Sequence, residues 1–184
     1  MLEWYLPDRG AEAKPATARR IRHDVARAAG EAGRRAADLG DAGLSFAQHH
    51  LARRSHGILR VGIIDFQDAV LGPAAYDLVS LLQDARIDVP EQLELTLLTR
   101  YIKARRAADA DFDPAGFAEL YAIMSAQRNT RLLGTFARLN RRDGKPQYLR
   151  HQPRIWTYLN RSLAHPALAA FREWYATNVP PPAA

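Results

Sequence analysis

The chain has 184 residues and a mass of 20.6 kDa, room for one medium domain. Apolar residues make up 47% and charged residues 25%, which excludes collagen, mucin and a fully disordered tail; the absence of cysteine excludes a disulfide scaffold, a zinc ribbon and a thiol nucleophile. The formal net charge is +6, and only three of the 26 basic residues are lysines (Lys14, Lys103 and Lys145), an arginine excess that marks GC-rich coding as much as chemistry.

The first stretch, 1–10, carries charges and a proline where a signal peptide needs a basic head and an apolar run, so the expected compartment is the cytoplasm. No apolar run approaches the roughly 20 residues of a membrane helix. Residues 11–56 differ from the rest. They hold 13 alanines and a net charge of +4, and no aromatic residue lies between Tyr5 and Phe46. Such a stretch buries little apolar area, so poorly packed helix or disorder is expected there. Leu59 to Phe66 then reads as a β-strand, a short β-branched run bounded by Gly57. One strand cannot make a sheet, so either it pairs with a hairpin from 44–56 or strands are missing from the chain.

Helices follow. Gly72-Pro73 reads as a turn before a helix from about Ala74 to Arg86. Pro90 opens a second helix to about Ala107, with Leu93, Leu95, Leu97, Leu98, Tyr101 and Ile102 as its apolar stripe. Asp113-Pro114 is an N-cap and first-turn pair that opens a long helix to about Leu139; Phe117, Leu120, Tyr121, Met124, Leu132 and Phe136 follow its 3.6-residue period. Residues 142–145 form a loop, and Pro153 to Leu163 and Pro166 to Thr177 are the last two helices. The tail from Asn178 is expected to fray.

Chemistry concentrates in Val61 to Ser80, VGIIDFQDAVLGPAAYDLVS. Asp65 and Asp68 follow the strand, and Asp77 lies in the first turn of the next helix, near its positive dipole end. Carboxylates at a strand end suit Mg²⁺, which takes one or two of them plus phosphate oxygens. Equally, Asp65 can cap a turn and Asp77 can serve as an ordinary first-turn acid. Gln127, Arg128 and Arg131 sit on or beside the stripe of Leu120 and Met124 and need partners there. They either line a ligand cleft or brace the helix against Asp143 or the acids of 65–77, the bracing role being slightly favoured.

Ile64-Asp65-Phe66-Gln67-Asp68, Gly72-Pro73 and Tyr76-Asp77-Leu78 resemble the metal loop and following helix of the aminoglycoside phosphotransferase and choline kinase-like family. The closer match is to its bacterial cell-wall sugar kinases, which phosphorylate the anomeric hydroxyl of N-acetylmuramate and N-acetylglucosamine. Gln127-Arg128, Leu133-Gly134, Phe136-Ala137-Arg138-Leu139, Arg142-Asp143-Gly144-Lys145, Tyr148-Leu149 and Pro153-Arg154 also resemble that branch, and Glu3-Trp4-Tyr5-Leu6-Pro7 resembles the segment after the hinge between lobes. The resemblance covers 1–10 and 57 to about 165. It implies an α+β, mostly α fold, a protein-kinase-like C-terminal lobe without the N-lobe. The implied organisation is a post-hinge segment at 1–10, the Ala/Arg-rich segment at 11–56, the lobe at 57–178 and a disordered tail at 179–184. Asp65 is implied as the Mg²⁺ ligand. Asp77 is implied as a buried support for the catalytic loop, and Asp68 as a further support or a sugar-facing acid. Gln127, Arg128 and Arg131 are implied on the sugar side, with Arg128 meeting a carboxylate such as the lactyl group of muramate.

The family uses ATP with Mg²⁺ and carries an R-D-x-x-x-x-N catalytic loop roughly 20 residues before the metal aspartate. No Asp-x-x-x-x-Asn occurs between Asp41 and Asp65, so the catalytic residues are unassigned and the chain alone is expected to be inactive. Back-translating 41–56 with allowed codons and reading one base later yields Thr-Arg-Asp-Phe-Pro-Ser-Pro-Asn, which restores the signature. The expectation is that 11–56 is read out of frame. The alternative functions are a nucleic-acid-binding module, motivated by the arginines of 17–38, and a non-catalytic sugar- or partner-binding module. Outside 11–56 the net charge is only +2, which gives no reason to expect nucleic acid. An exposed apolar face around Trp4, Tyr5 and Leu6 is expected to cause aggregation or dimerisation.

Overall fold

The computed structural model describes residues 3–11, 42–45, 48–51, 61–64 and 70–182. A single helical turn, α1 (Tyr5–Asp8), precedes four short strands: β1 (Ala42–Ser45), β2 (Gln48–Leu51), β3 (Val61–Ile64) and β4 (Val70–Pro73). Five helices follow the strands: α2 (Ala74–Leu82), α3 (Glu91–Ala108), α4 (Pro114–Arg141), α5 (Gln152–Leu163) and α6 (Ala169–Asn178). The 3₁₀ turns Pro146–His151 and Pro166–Leu168 precede α5 and α6. The described part is therefore mostly α with a small β element, as expected.

The strands form two antiparallel pairs, β2 with β3 inside β1 with β4. The expected strand is present as β3, and its partner comes from 44–56. Residues 42–45 and 48–51 are strands where helix or disorder was expected; the rest of 12–60 lies outside the described residues. β4 replaces the expected Gly72-Pro73 turn. Gly43 pairs with Gly72 and Ala42 with Pro73, so proline stands at the strand's last position and also caps α2 with φ −58°.

α4 is the axis of the fold. Its start follows from Asp113, whose Oδ1 accepts the Ala115 N–H at 2.9 Å, with Pro114 in the first turn. Its first half packs Phe117, Leu120, Tyr121 and Met124 against Ala75, Tyr76 and Val79 of α2 and against Phe112. Its second half packs Leu133, Phe136 and Ala137 against Ile155, Leu159 and Leu163 of α5, and against Tyr175 and Val179.

The front segment is part of that second core. Tyr5 is 0% and Leu6 1% exposed, which corrects the expectation of an open apolar face there. The Tyr5 ring stacks on Trp156 at 6.5 Å between centroids, and its hydroxyl donates to the Pro180 carbonyl at 2.9 Å. Burial pushes the Tyr5 phenol up to about 12. The expected fraying from Asn178 is corrected as well, because Val179 is buried and Pro180 is held by Tyr5. α3 departs from its predicted stripe. Leu98, Tyr101 and Ile102 face the core, but Leu93, Leu95 and Leu97 are exposed, and the buried residue of the helix is Glu94. No helix among the described residues is long and apolar enough to cross a membrane.

Candidate functional site

The two strand pairs bound an interval in the sequence. Ser45 pairs with Val70 on one side of it, and Gln48 pairs with Ile64 on the other. Between the two ladders one chain spans residues 46–47 and the other spans 65–69. The acids Asp65 and Asp68 belong to that longer span, directly after β3, and lie outside the described residues. Asp77 is half-buried in the first turn of α2, which begins at the residue after β4. One short stretch of sequence therefore runs from Asp65 and Asp68 through β4 into the helix that holds Asp77. Among the described residues no group of three acidic, histidine or cysteine side chains is placed to hold a metal ion.

α2 is fixed by Ala75, Tyr76 and Val79, all buried against α4. Tyr76 in turn meets Arg128 of α4. The Arg128 guanidinium lies 5.7 Å from the Tyr76 ring centroid, and Nη1 donates to the Tyr76 hydroxyl at 3.4 Å. Arg128 Nε is buried without a partner, as is Oε1 of the neighbouring Gln127. Arg131, one turn on, is exposed. Asp143 pairs with Arg142 at 2.6 Å, and that guanidinium holds its carboxyl below the usual range. The structure thus brings Arg128 to the residue before Asp77, and Asp143 does not brace it.

A second polar cluster escaped the sequence reading. Glu94 is buried, and its Oε1 accepts from Gln83 Nε2 at 2.7 Å and from the Tyr121 hydroxyl at 2.8 Å. Its Oε2 accepts from Arg161 at 2.7 Å. Gln83 Oε1 accepts from Ser125 at 2.6 Å and from Asn129 at 2.7 Å, and Ser125 also meets Ser162. Burial, reinforced by the Glu94 charge, pushes the Tyr121 phenol far above its ordinary value. These side chains join the end of α2 to α3, α4 and α5. The signal was present: Tyr121, Ser125 and Asn129 are four residues apart and share a face of α4. The cluster braces helices, with Asn129 Oδ1 left buried and without a partner at its edge.

Residues 46–120 match the family model described as "Phosphotransferase enzyme family". The chain is similar to that family over those residues. It is 45% identical over 124 residues to the N-acetylmuramate/N-acetylglucosamine kinase of Caulobacter vibrioides, covering 67% of this chain and 33% of that protein. The kinase of the same name from Neisseria meningitidis serogroup B is 47% identical over 105 residues, 55% of this chain and 31% of that protein. The Pseudomonas aeruginosa kinase is 39% identical over 119 residues, 63% and 35% respectively. The chain spans about a third of the length of these curated relatives. The matched stretch takes in β2, β3, Asp65, Asp68, β4, Asp77 and the first turns of α4, and it stops before Gln127, Arg128 and Arg131.

Proposed function

We propose that this chain is the sugar-side portion of an ATP-dependent kinase for N-acetylated amino sugars, a protein-kinase-like C-terminal lobe. The observation that carries this reading is the run from Ile64 to Asp77, which links β3 to β4 and α2 inside the family-matched stretch. The names of its relatives supply the substrate class. The γ-phosphoryl group of ATP would pass to the sugar's anomeric hydroxyl, which loses its proton as ADP departs.

The donor set suits a hard cation: two carboxylates, Asp65 and Asp68, that follow directly after β3 in the sequence. Asp65 would hold Mg²⁺, which when bound neutralises charge on the phosphates. Asp77 would support the loop opposite, and Asp68 would stand beside Asp65. Gln127, Arg128 and Arg131 would face the sugar. Residues 43–48, where the one-base shift restores R-D-x-x-x-x-N, run from β1 to the first residue of β2. As translated in this chain they supply neither the general base nor the metal-binding Asn, so the 184-residue protein would bind sugar without turnover.

Calorimetry of the chain with N-acetylmuramate and N-acetylglucosamine, with and without Mg²⁺, tests the binding. A saturable signal is expected for at least one sugar, with phosphorylation at background. Absence of binding to both sugars would remove the sugar-side reading. Turnover that vanishes in Asp65→Ala would keep the family reading and overturn inactivity.

A further inference from the structure

The surface of α3 is unlike that of the other helices. It buries Glu94 and leaves Leu93, Leu95 and Leu97 exposed, Leu95 by 50%. A single exposed leucine is ordinary, so the pattern around it decides what it means. An α-helix turns about 100° per residue, so side chains four, seven and four residues apart fall on one stripe. Glu91, Leu95, Ile102 and Arg106 have those spacings. Glu91, Leu95 and Arg106 are exposed, and Ile102 is half-buried at the rim of the core.

That stripe is its own complement. About a two-fold axis between Leu98 and Thr99, a second α3 running antiparallel sets Glu91 against Arg106 and Leu95 against Ile102, at both ends at once. The two helix dipoles then oppose each other, which is also favourable. A parallel pair would set Glu91 on Glu91 and Arg106 on Arg106, so the charges select the antiparallel arrangement. Arg106 meets no carboxylate among the described residues, and Glu91 reaches Arg161 only at 3.9 Å. Both charges are therefore available to a partner. The helix has 18 residues, about 27 Å of contact, which is the small end of specific interfaces and implies weak association. We propose that α3 is a self-association surface on which a second copy of this chain docks antiparallel, with Leu95 and Ile102 in contact at the centre and Glu91–Arg106 ion pairs at the two ends. Nothing in it depends on which sugar the chain binds.

Sedimentation equilibrium of the 184-residue chain, over about 1 to 200 μM, tests it. The 20.6 kDa monomer should pass to a dimer and stop there, with a Kd on the order of 10 μM. Leu95→Lys should weaken the dimer about tenfold or more. Leu97→Lys should not, because Leu97 is two residues on and projects from the other side of the helix. A charge reversal acts twice in a symmetric pair, so Glu91→Arg and Arg106→Glu should each weaken the dimer about tenfold. Mixed in equal amounts, those two variants should recover an affinity close to that of the wild type, since every arginine then faces a glutamate. Far-UV circular dichroism checks that each variant keeps its helices, and Leu95→Gln replaces Leu95→Lys if that one does not.

A chain that stays monomeric at the highest concentration would overturn the proposal. So would a dimer that Leu95→Lys leaves intact, or one that Leu97→Lys dissolves equally, because the contact would then lie elsewhere. Association that continues past the dimer would reveal an open, head-to-tail contact and overturn the two-fold pairing. Charge reversals without effect, or mixed variants that fail to recover, would overturn the antiparallel register and the proposal with it.

Discussion

The two halves of α4 are held in different ways. From Leu133 onward the helix sits in an apolar and aromatic core built with α1, α5 and α6, where Tyr5, Leu133, Ile155 and Leu159 have no exposed surface. Between Phe117 and Asn129 it packs apolar side chains against α2. It also fastens α3 and α5 through a chain of hydrogen bonds that ends on Glu94 and Arg161. Burial of apolar area is non-directional and degrades gradually. A buried polar network fails as a unit when one member leaves, because the others lose their partners at once. The half that lies against the candidate site is therefore the half with the stricter geometric demand.

The largest expected effect is on the apolar side. Tyr5→Ala removes a fully buried ring, its stacking on Trp156 and its hydrogen bond to Pro180. Urea unfolding should show a loss of about 3–5 kcal/mol. Tyr5→Phe should cost only about 1 kcal/mol, the share of the hydroxyl. If Tyr5→Ala costs no more than Tyr5→Phe, the front segment is not part of the core.

On the polar side, Glu94→Ala should cost roughly 3 kcal/mol, because Gln83, Tyr121 and Arg161 lose one acceptor together. Arg161→Met in the Glu94→Ala background should recover part of that loss, since it removes a guanidinium left with only the exposed Glu91 carboxylate at 3.9 Å. Urea midpoints of the two single variants and the double variant measure the coupling. Strict additivity would mean that the pair is not a unit, and the contrast between the two halves of α4 would collapse.

Period and punctuation made α2, α4, α5 and α6 legible in the sequence, with Asp113-Pro114 setting the start of α4 and Pro166 opening the 3₁₀ turn that leads into α6. What stayed illegible depends on contacts distant in sequence. Nothing local tells that Tyr5 will meet Pro180, or that Leu93, Leu95 and Leu97 will face water while Glu94 turns inward. A strand as short as β4 carries too few residues to show alternation, and Gly72-Pro73 by itself reads as a turn. For the candidate site, residue types in order nominated Asp65, Asp68 and Asp77. The pairing of Arg128 with Tyr76 needed the crossing of α2 and α4. Spacing placed Arg128 on a face of α4 and could not choose between Asp143 and the α2 side as its neighbour.

The smallest effect isolates local from tertiary control at the start of α4. Gly116 lies in the first turn, and a Cβ there would stand 2.5 Å from Asp113 Oδ2 and 3.2 Å from its Cγ. The capping carboxylate would have to rotate away, and the bond from the Ala115 N–H to Oδ1 would go with it. Losing such a cap costs about 1 kcal/mol. Replacing glycine by alanine in a helix gains about the same. Gly116→Ala should therefore leave the melting temperature nearly unchanged in the wild-type chain, the two terms offsetting. In an Asp113→Ala background the cap is already gone, so the same substitution should stabilise by about 1 kcal/mol. An equal shift in both backgrounds would show that the carboxylate accommodates the methyl group without giving up its hydrogen bond. The cap at the start of α4 would then tolerate a side chain at position 116, and its hydrogen bond would not depend on glycine there.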